Sequence, residues 1–340
     1  MLEWPLLLVI IIVIALVFDY TNGAHDTGNV IATVVATRAL SPKQAVAMAA
    51  LLNFCGALVG NKVALTVGTG ILDTDLIMHC KVLVLAALLG AIFWNVLTWV
   101  LGLPSSSSHA LVGGLIGAGV AYGGWGTLKY VSIFWKVILP IFVSPFAGFV
   151  VGYLATLGLT WACVKAKPKP ANRLFRRLQI LSASVMAFSH GMNDAQKTMG
   201  IITLALFIFG KIPEIAVPLW VKISCALVML LGTVTGGWKI VKTMGSKFFR
   251  MEPIHGFAIQ TASALVIEGA THFGAPISTT HVISSSVLGS GSVRNLSAVR
   301  WGVAGKMVTA WFLTLPAAAV VGALMFWLLQ FLTGLSPATN

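Results

Sequence analysis

Two aspartates lie inside long apolar stretches, and each belongs to a short polar motif of the same kind. Asp26 falls within Asn-Gly-Ala-His-Asp-Thr-Gly-Asn at residues 22–29, and Asp194 falls within His-Gly-Met-Asn-Asp at residues 190–194. A carboxylate at the centre of a bilayer costs about 2.5–3.5 kcal/mol, so it is retained for function or paired. A protonated structural aspartate is the alternative for either acid taken alone. Because the two acids occupy matched positions in the two halves of the chain, we predict that both are functional.

The partner of Asp26 is predicted to be a bound cation, since no basic residue lies one helical turn away from it. The side-chain amide oxygens of Asn22 or Asn29 could hold the cation together with the carboxylate. Gly23 and Gly28 would allow the helix to unwind there and free backbone carbonyls as further ligands. The candidate cation-coupling residues are Asp26, Asp194, Asn22 and Asn29.

A second recurring feature is a proline followed by hydroxyl-bearing residues. Pro-Ser-Ser-Ser-Ser-His occupies 104–109 and Pro-Ile-Ser-Thr-Thr-His occupies 276–281. Proline disfavours helix in the residue before it, and Ser or Thr then caps a new helix, whose first turn exposes N–H groups and a positive dipole end. Neutral donors of this kind can bind an oxyanion and still release it, as transport requires. The candidate anion-binding residues are Ser106, Ser107, Ser108, Ser278, Thr279 and Thr280.

Serine and histidine side chains could instead form a hydrolytic or metal site. Ser108 and His109 are adjacent, but neighbouring residues of an α-helix point about 100° apart, and the sequence contains no G-x-S-x-G elbow. His25 and His190 flank the acids at different motif positions, and no H-E-x-x-H motif is present. We therefore predict no enzyme activity, no catalytic residues, no resident metal and no cofactor.

Composition identifies the class of protein that carries these motifs. Of the 340 residues, 58% are hydrophobic and only 9% are charged, and the mean hydropathy is +0.94. A soluble domain has about 25% charged residues, so this chain could not cover its surface with polar groups. The sequence predicts an all-α, multi-pass protein of the cytoplasmic membrane.

The net charge of +13 does not indicate nucleic-acid binding, because of where the basic residues lie. Six of the 22 fall between Lys165 and Arg177. Basic loops that flank membrane spans stay on the cytoplasmic side, so this cluster reports orientation. We predict a basic cytoplasmic linker at 163–179 between two repeats at 1–162 and 180–340.

Ten apolar segments can be counted along the chain, five in each repeat. Because each repeat crosses the membrane an odd number of times and the linker between them is cytoplasmic, both termini are predicted to lie outside. The second repeat is then inverted relative to the first. The segments are 5–37, 44–70, 81–102, 108–123, 131–162, 180–210, 215–235, 255–273, 281–291 and 301–333.

Segment lengths add a further prediction, since about 20 residues span a bilayer. Segments 5–37 and 180–210 are too long and contain the acid motifs, whereas 108–123 and 281–291 are too short and follow prolines. We therefore expect broken helices at the acid motifs and re-entrant hairpins at the hydroxyl motifs, which would raise the count from five to six segments per repeat.

At these motifs the chain strongly resembles the PiT family of inorganic phosphate transporters. The similarity runs from about residue 16 to residue 325. It departs from the family pattern at His25, Gly28 and Lys197. The family-like segments are 22–29, 190–200, the two hydroxyl motifs and 297–305.

The resemblance implies an inverted-repeat secondary transporter, often a homodimer, that moves phosphate with Na⁺ or H⁺. It implies that Asp26 and Asp194 lie at the cation and substrate site, that the hairpin hydroxyls contact phosphate, and that Asn193 joins them. The alternative function is symport of sulfate or another tetrahedral oxyanion on the same scaffold. A channel is disfavoured because the spans carry no continuous polar stripe.

Overall fold

The computed structural model describes residues 4–78, 80–293 and 295–333. Helices account for 83% of the chain, and the described residues form no strands beyond one isolated bridge between Leu72 and Leu128. A π-helical turn, Phe134–Ile138, joins the short helix Tyr130–Ile133 to the helix that begins at Leu139. The helices of the first half are α1 (Trp4–Ala36), α2 (Pro42–Ala57), α3 (Lys62–Gly70), α4 (Thr74–Ile77), α5 (Leu83–Leu101), α6 (Ser107–Gly123), α7 (Tyr130–Ile133) and α8 (Leu139–Ala162).

The second half repeats this order of elements: a long helix, a bent helix pair, a hairpin of two helices and a long final helix. The repetition agrees with the predicted all-α architecture. The helices of the second half are α9 (Pro168–Ile208), α10 (Leu219–Thr235), α11 (Trp238–Ser246), α12 (Pro253–His272), α13 (Thr279–Ser292) and α14 (Trp301–Thr333).

Several helices are long and apolar enough to cross a membrane. Four qualify singly among the described residues, namely Pro5–Ala36, Leu83–Leu101, Tyr130–Ala162 and Trp301–Thr333. The pairs α2–α3 and α10–α11 qualify when each is taken as one span, bent by 71° and 68°. Large apolar side chains such as Phe146 and Phe331 are exposed on the outer helices, as expected for a surface solvated by lipid. The multi-pass membrane class predicted from composition is confirmed.

The predicted position of the helix breaks is wrong. α1 continues through 22–29 and α9 continues through 190–200 without interruption. The glycines of the acid motifs serve close packing instead: a Cβ at Gly23 would lie 2.7 Å from the carbonyl oxygen of Met229, and one at Gly191 would overlap the backbone of Asn53. Small residues of this kind let membrane helices approach one another. Freed backbone carbonyls are therefore not available beside either acid.

The breaks occur in the second segment of each half, where a glycine lies between the two helices of the pair. Gly60 has φ 80° and Gly236 has φ 68°, a left-handed conformation that side chains with a Cβ rarely adopt. A lysine near the start of each following helix caps the opposite hairpin. Lys62 Nζ donates to the carbonyl of His272 at 3.1 Å, and Lys239 Nζ donates to the carbonyl of Val100 at 2.9 Å. We call these two contacts the lysine caps.

Two stretches that lie outside the predicted apolar segments are also helical. Residues 236–254 fall between two predicted segments, but α11 forms there because Ile240, Val241 and Met244 form a buried apolar face at helical spacing. The expected linker 163–179 is helical from Pro168 onward, since proline is tolerated in the first turn of a helix. Only residues 163–167 connect α8 to α9.

The two halves interleave. α1 packs on α10 and α11 of the second half, and in the same way α9 packs on α2 and α3 of the first half. The final helices are exchanged, because α8 packs on α13 and α14 packs on α6. The acid motifs of α1 and α9 therefore lie at the centre, where the two halves meet.

Candidate binding site

Asp26 and Asp194 are brought together around one histidine. Both carboxylates are buried, with 1% and 0% of their surface exposed. His190 Nε2 lies 3.5 Å from Asp194 Oδ2 and 3.9 Å from Asp26 Oδ2. The ligand atoms of the three side chains all fall within 4.8 Å of one another. The repeat-matched acids thus form one site rather than two separate ones.

The hydrogen bonds of His190 indicate what this site requires. Its Nδ1 lies 3.3 Å from Asn53 Oδ1, while Asn53 Nδ2 donates to Thr233 Oγ1 at 3.0 Å. Asn53 Oδ1 is an acceptor, so the Nδ1 of His190 carries the hydrogen. A neutral ring with this tautomer would point the Nε2 lone pair at two carboxylates, which is repulsive. The geometry favours a positive charge at this point, either a second proton on His190 or a bound cation.

The hairpin hydroxyls reach the same carboxylates. Ser107 Oγ donates to Asp26 Oδ2 at 3.4 Å, and its repeat counterpart Thr279 donates to Asp194 Oδ2 at 3.5 Å. Thr280 donates to Asp26 Oδ1 at 3.4 Å. The structure therefore joins the two groups of residues that the sequence singled out, the acids and the hydroxyls.

The other three hairpin hydroxyls have structural partners. Ser106 and Ser278 accept hydrogen bonds of 3.2 Å from the backbone N–H groups of His109 and His281, as N-cap residues do. Ser108 Oγ donates across to the carbonyl of Ile277 at 3.3 Å. These contacts fix the start of each hairpin helix, whose first backbone N–H groups have no acceptor within the helix.

The hairpin helices also meet one another through their histidines. The rings of His109 and His281 lie edge to face with centroids 4.8 Å apart. His281 stacks on Trp311 at 4.2 Å, and Trp311 Nε1 donates to the carbonyl of Pro104. The two hydroxyl motifs are thus held against each other at the interface between the halves.

Three asparagine oxygens at the acid motifs have no hydrogen-bond partner among the described residues. They are Oδ1 of Asn22, Asn29 and Asn193, all in buried side chains. Asn29 Nδ2 donates to Thr280 at 2.8 Å, and Asn193 Nδ2 donates to Thr271 at 2.7 Å. Buried acceptors without partners are rare and costly. A bound cation would satisfy such oxygens, which is the role predicted from the sequence for Asn22 and Asn29; the role predicted for Asn193 is contact with the substrate.

Sequence reasoning missed the residues that hold His25. Its Nδ1 lies 2.8 Å from Asp26 Oδ1, and its Nε2 contacts Thr98 at 3.2 Å and Ser105 at 3.3 Å. Thr98 lies in α5 far along the chain, and a lone threonine in an apolar helix gives no sequence signal. Ser105 belongs to the hydroxyl motif, but it is not among the predicted anion-binding residues.

Lys197, like His25, departs from the family pattern, and the sequence alone did not assign it a role. Its Nζ lies 2.5 Å from Asp194 Oδ1, and only 1% of the side chain is exposed. The signal was present, because a lysine three residues after an intramembrane aspartate lies on the same helix face. Two further acids lie within helices, Asp19 in α1 and Glu268 in α12, and each has a hydroxyl partner. Asp19 accepts from Thr198 at 2.9 Å, and Glu268 accepts from Ser189 at 2.9 Å.

Comparison with known proteins covers nearly the whole chain. Residues 22–322 match the model of the phosphate transporter family. A probable low-affinity inorganic phosphate transporter of Rhizobium meliloti is 48% identical over 328 residues, covering 96% of this chain and 97% of that protein. The protein of the same name from Bacillus subtilis is 43% identical over 329 residues, covering 96% and 98%. A solved structure, described as the sodium-dependent phosphate transporter, superposes with a TM-score of 0.86 at 25% identity, covering 96% of this chain and 99% of that one.

Proposed function

The chain belongs to the phosphate transporter family, and from that premise we propose that it takes up inorganic phosphate by symport with a cation. It is a transporter of the cell membrane and not an enzyme. Coupling to a cation, the identity of that cation and the roles of individual residues are the parts that we propose.

The observation that carries the proposal is the position of His190 Nε2 between two buried carboxylates. Phosphate is an anion, and Lys197 compensates only Asp194, so the carboxylate of Asp26 in a medium of low dielectric constant would repel phosphate strongly. Positive charge at this point relieves the repulsion, so phosphate and a cation should bind together. A requirement for joint binding is what couples the two fluxes.

The phosphate itself is proposed to contact the tips of the two hairpins. Ser107, Thr279 and Thr280 supply hydroxyl donors beside the acids, and the capped starts of α6 and α13 supply backbone N–H groups. These donors carry no net charge, so they support binding without preventing release. Ser106, Ser108 and Ser278 position this cradle, and Asn193 lies beside it.

The donor set can accept either of two cations. The oxygens of Asp26, Asn22 and Asn29 are the hard ligands that Na⁺ prefers, whereas His190 Nε2 can carry a proton. Uptake of radiolabelled phosphate into proteoliposomes, with Na⁺ and pH gradients imposed separately, distinguishes them. We expect one of the two gradients to drive uptake against a phosphate gradient. Uptake that responds only to the phosphate gradient would contradict symport.

The alternative substrate is tested in the same vesicles. Excess unlabelled sulfate should leave phosphate uptake unchanged if phosphate is the substrate, and it should compete if the site accepts any tetrahedral oxyanion.

The homodimer that the family resemblance implies is also a proposal. Native mass spectrometry of the protein released from lipid should show a two-chain species, and a uniform single chain would contradict it.

A further inference from the structure

The two halves carry different groups at one matched position beside their acids. With Asp26 aligned to Asp194, residue Asn29 of α1 aligns with Lys197 of α9. Both lie three residues after the acid and therefore on the same helix face as the acid. The first half thus has a neutral amide where the second half has a fixed positive charge.

The surroundings of the two acids differ accordingly. Lys197 is among the largest fully buried side chains, and its ammonium contacts Asp194 Oδ1 directly. Asp26 has no lysine or arginine partner in the described part of the chain. Its oxygens contact His25, Ser107, Thr280 and, at longer range, His190.

The first half also leaves acceptors free where a cation would bind. The Oδ1 atoms of Asn29 and Asn22 have no hydrogen-bond partner among the described residues. Both side chains are at least 99% buried and lie one turn from Asp26 on α1. In the second half the matched positions hold His190 and Lys197, neither of which offers an amide oxygen.

We propose that Lys197 is a tethered cation that fills the second of two repeat-related cation positions. Only the position at Asp26 then exchanges its cation during the transport cycle. This inference rests on the proposed cation-coupled symport, and it adds that the number of cations per phosphate is set by the residue at position 197. A buried ammonium paired with a buried carboxylate is stable in place, because separating either partner leaves an unpaired buried charge.

A merely structural ion pair would have different consequences. If Lys197 only neutralised Asp194 to stabilise the fold, its replacement would lower stability and transport rate but leave the cation-to-phosphate ratio unchanged. If it is a tethered cation, its removal exposes a second acid to solution cations. The ratio is therefore the decisive quantity.

The first test replaces Lys197 with the residue found at the matched position, K197N. The cation-to-phosphate ratio is measured in proteoliposomes from the phosphate gradient that exactly balances a known gradient of the coupling cation. We expect K197N to bind one more cation per phosphate than the unmodified protein. The control K197R keeps the positive charge and should keep the original ratio. An unchanged ratio in an active K197N would overturn the proposal.

The reciprocal variant keeps the proposal testable if K197N does not fold. N29K places a lysine beside Asp26, at the position matched to Lys197, so the site would no longer need a cation from solution. We expect phosphate exchange by N29K to become independent of the coupling cation, with N29Q as the neutral control that stays dependent. Cation dependence in N29K equal to that of N29Q would count against a tethered cation.

The two levels of inference fail separately. If neither gradient affects uptake by the unmodified protein, symport itself is wrong, whatever Lys197 does. If uptake by the unmodified protein is coupled but K197N and N29K keep its ratio and its cation dependence, only the role of Lys197 is wrong.

Discussion

At the scale of single residues, the central contrast is between two aspartates in matched positions with unequal partners. Asp194 is paired with Lys197, whereas Asp26 faces a histidine on either side and hydroxyls from both hairpins. Equal residues in a repeated sequence therefore need not have equal roles. The acid without a fixed counter-charge is the one expected to respond to ions from solution.

Removing the charge of Asp26 should abolish coupled uptake. D26N keeps the size of the side chain, so we expect normal expression with loss of gradient-driven phosphate accumulation in proteoliposomes. D75N is the matched control, because Asp75 is exposed in the short helix α4. Gradient-driven accumulation by D26N equal to that of D75N would remove Asp26 from the coupling mechanism.

The hairpin hydroxyls that touch the acids should contribute to phosphate affinity. Each neutral hydrogen bond is worth about 0.5–1.5 kcal/mol, so we expect the double variant S107A/T279V to raise the apparent KM for phosphate by about fivefold to 150-fold. S246A is the control, since the Ser246 hydroxyl donates to the carbonyl of Lys242 on the exposed surface. An unaltered KM with altered cation dependence would show that these hydroxyls serve the cation instead.

The sequence allowed the acids and the hydroxyls to be predicted, but not their partners. Intramembrane acids and proline-led hydroxyl runs are rare enough to be recognised by type alone. The contacts of His190 with Asn53 and of His25 with Thr98 join helices that are distant along the chain. Such contacts depend on how each helix is rotated about its axis, and rotation is decided by packing.

At the scale of elements, the lysine caps join each bent pair to the hairpin of the other half. The carbonyls at the end of a helix carry partial negative charge, so an ammonium placed there is stabilising. Lys62 performs this role for α12 and Lys239 performs it for α5. Each hairpin turn is therefore held by a helix that belongs to the opposite half.

Loss of the lysine caps should loosen the hairpin turns without unfolding the helices. We expect K62M/K239M to speed hydrogen–deuterium exchange at residues 102–106 and 273–277, while exchange in the middle of α1 stays unchanged. K242M is the control, because Lys242 is exposed in the same helix as Lys239 and caps neither hairpin. Equal exchange at both turns in the two variants would show that the caps do not restrain the hairpins.

Element boundaries could be predicted from hydropathy where segments are uniformly apolar, as for α1, α5 and α14. The prediction failed where a helix is amphipathic, as in α11, and where glycines serve packing rather than a break, as at Gly23 and Gly191. A glycine permits both a bend and a close contact. The sequence alone does not show whether a given glycine will bend its helix or allow a close contact with a neighbouring helix.

At the scale of the whole molecule, orientation in the membrane remains a prediction from charge. The basic residues of the first turns of α9 are placed in the cytoplasm by the positive-inside rule. α9 has 41 residues, about 60 Å of helix, twice the hydrocarbon thickness of a bilayer. Its basic start can therefore extend beyond the membrane while Asp194 stays within it. The termini themselves, predicted to lie outside the cell, fall beyond the described residues.

Labelling with an impermeant maleimide tests this orientation. In a background without the four native cysteines, E214C should react from outside in intact cells and N172C should not, since both side chains are exposed but lie at opposite ends of α9. After the cells are permeabilised, N172C should react as well, which controls for its accessibility. The reverse labelling pattern would show that the protein has the opposite orientation in the membrane. The inverted relation between the two halves would be unaffected.

The exchange of final helices has a consequence for how the protein is made. When the ribosome has completed only the first half, α6 still lacks α14, and α8 still lacks α13. Asp26 has entered the membrane, but neither His190 nor Thr280 has been synthesised. Until the second half has been synthesised, Asp26 therefore lies in the membrane without some of its hydrogen-bond partners. The first half can complete its packing only after the second half has been inserted. Folding of the first half is thus delayed until about half of the chain more has been translated. An insertase or chaperone would be most needed during this delay.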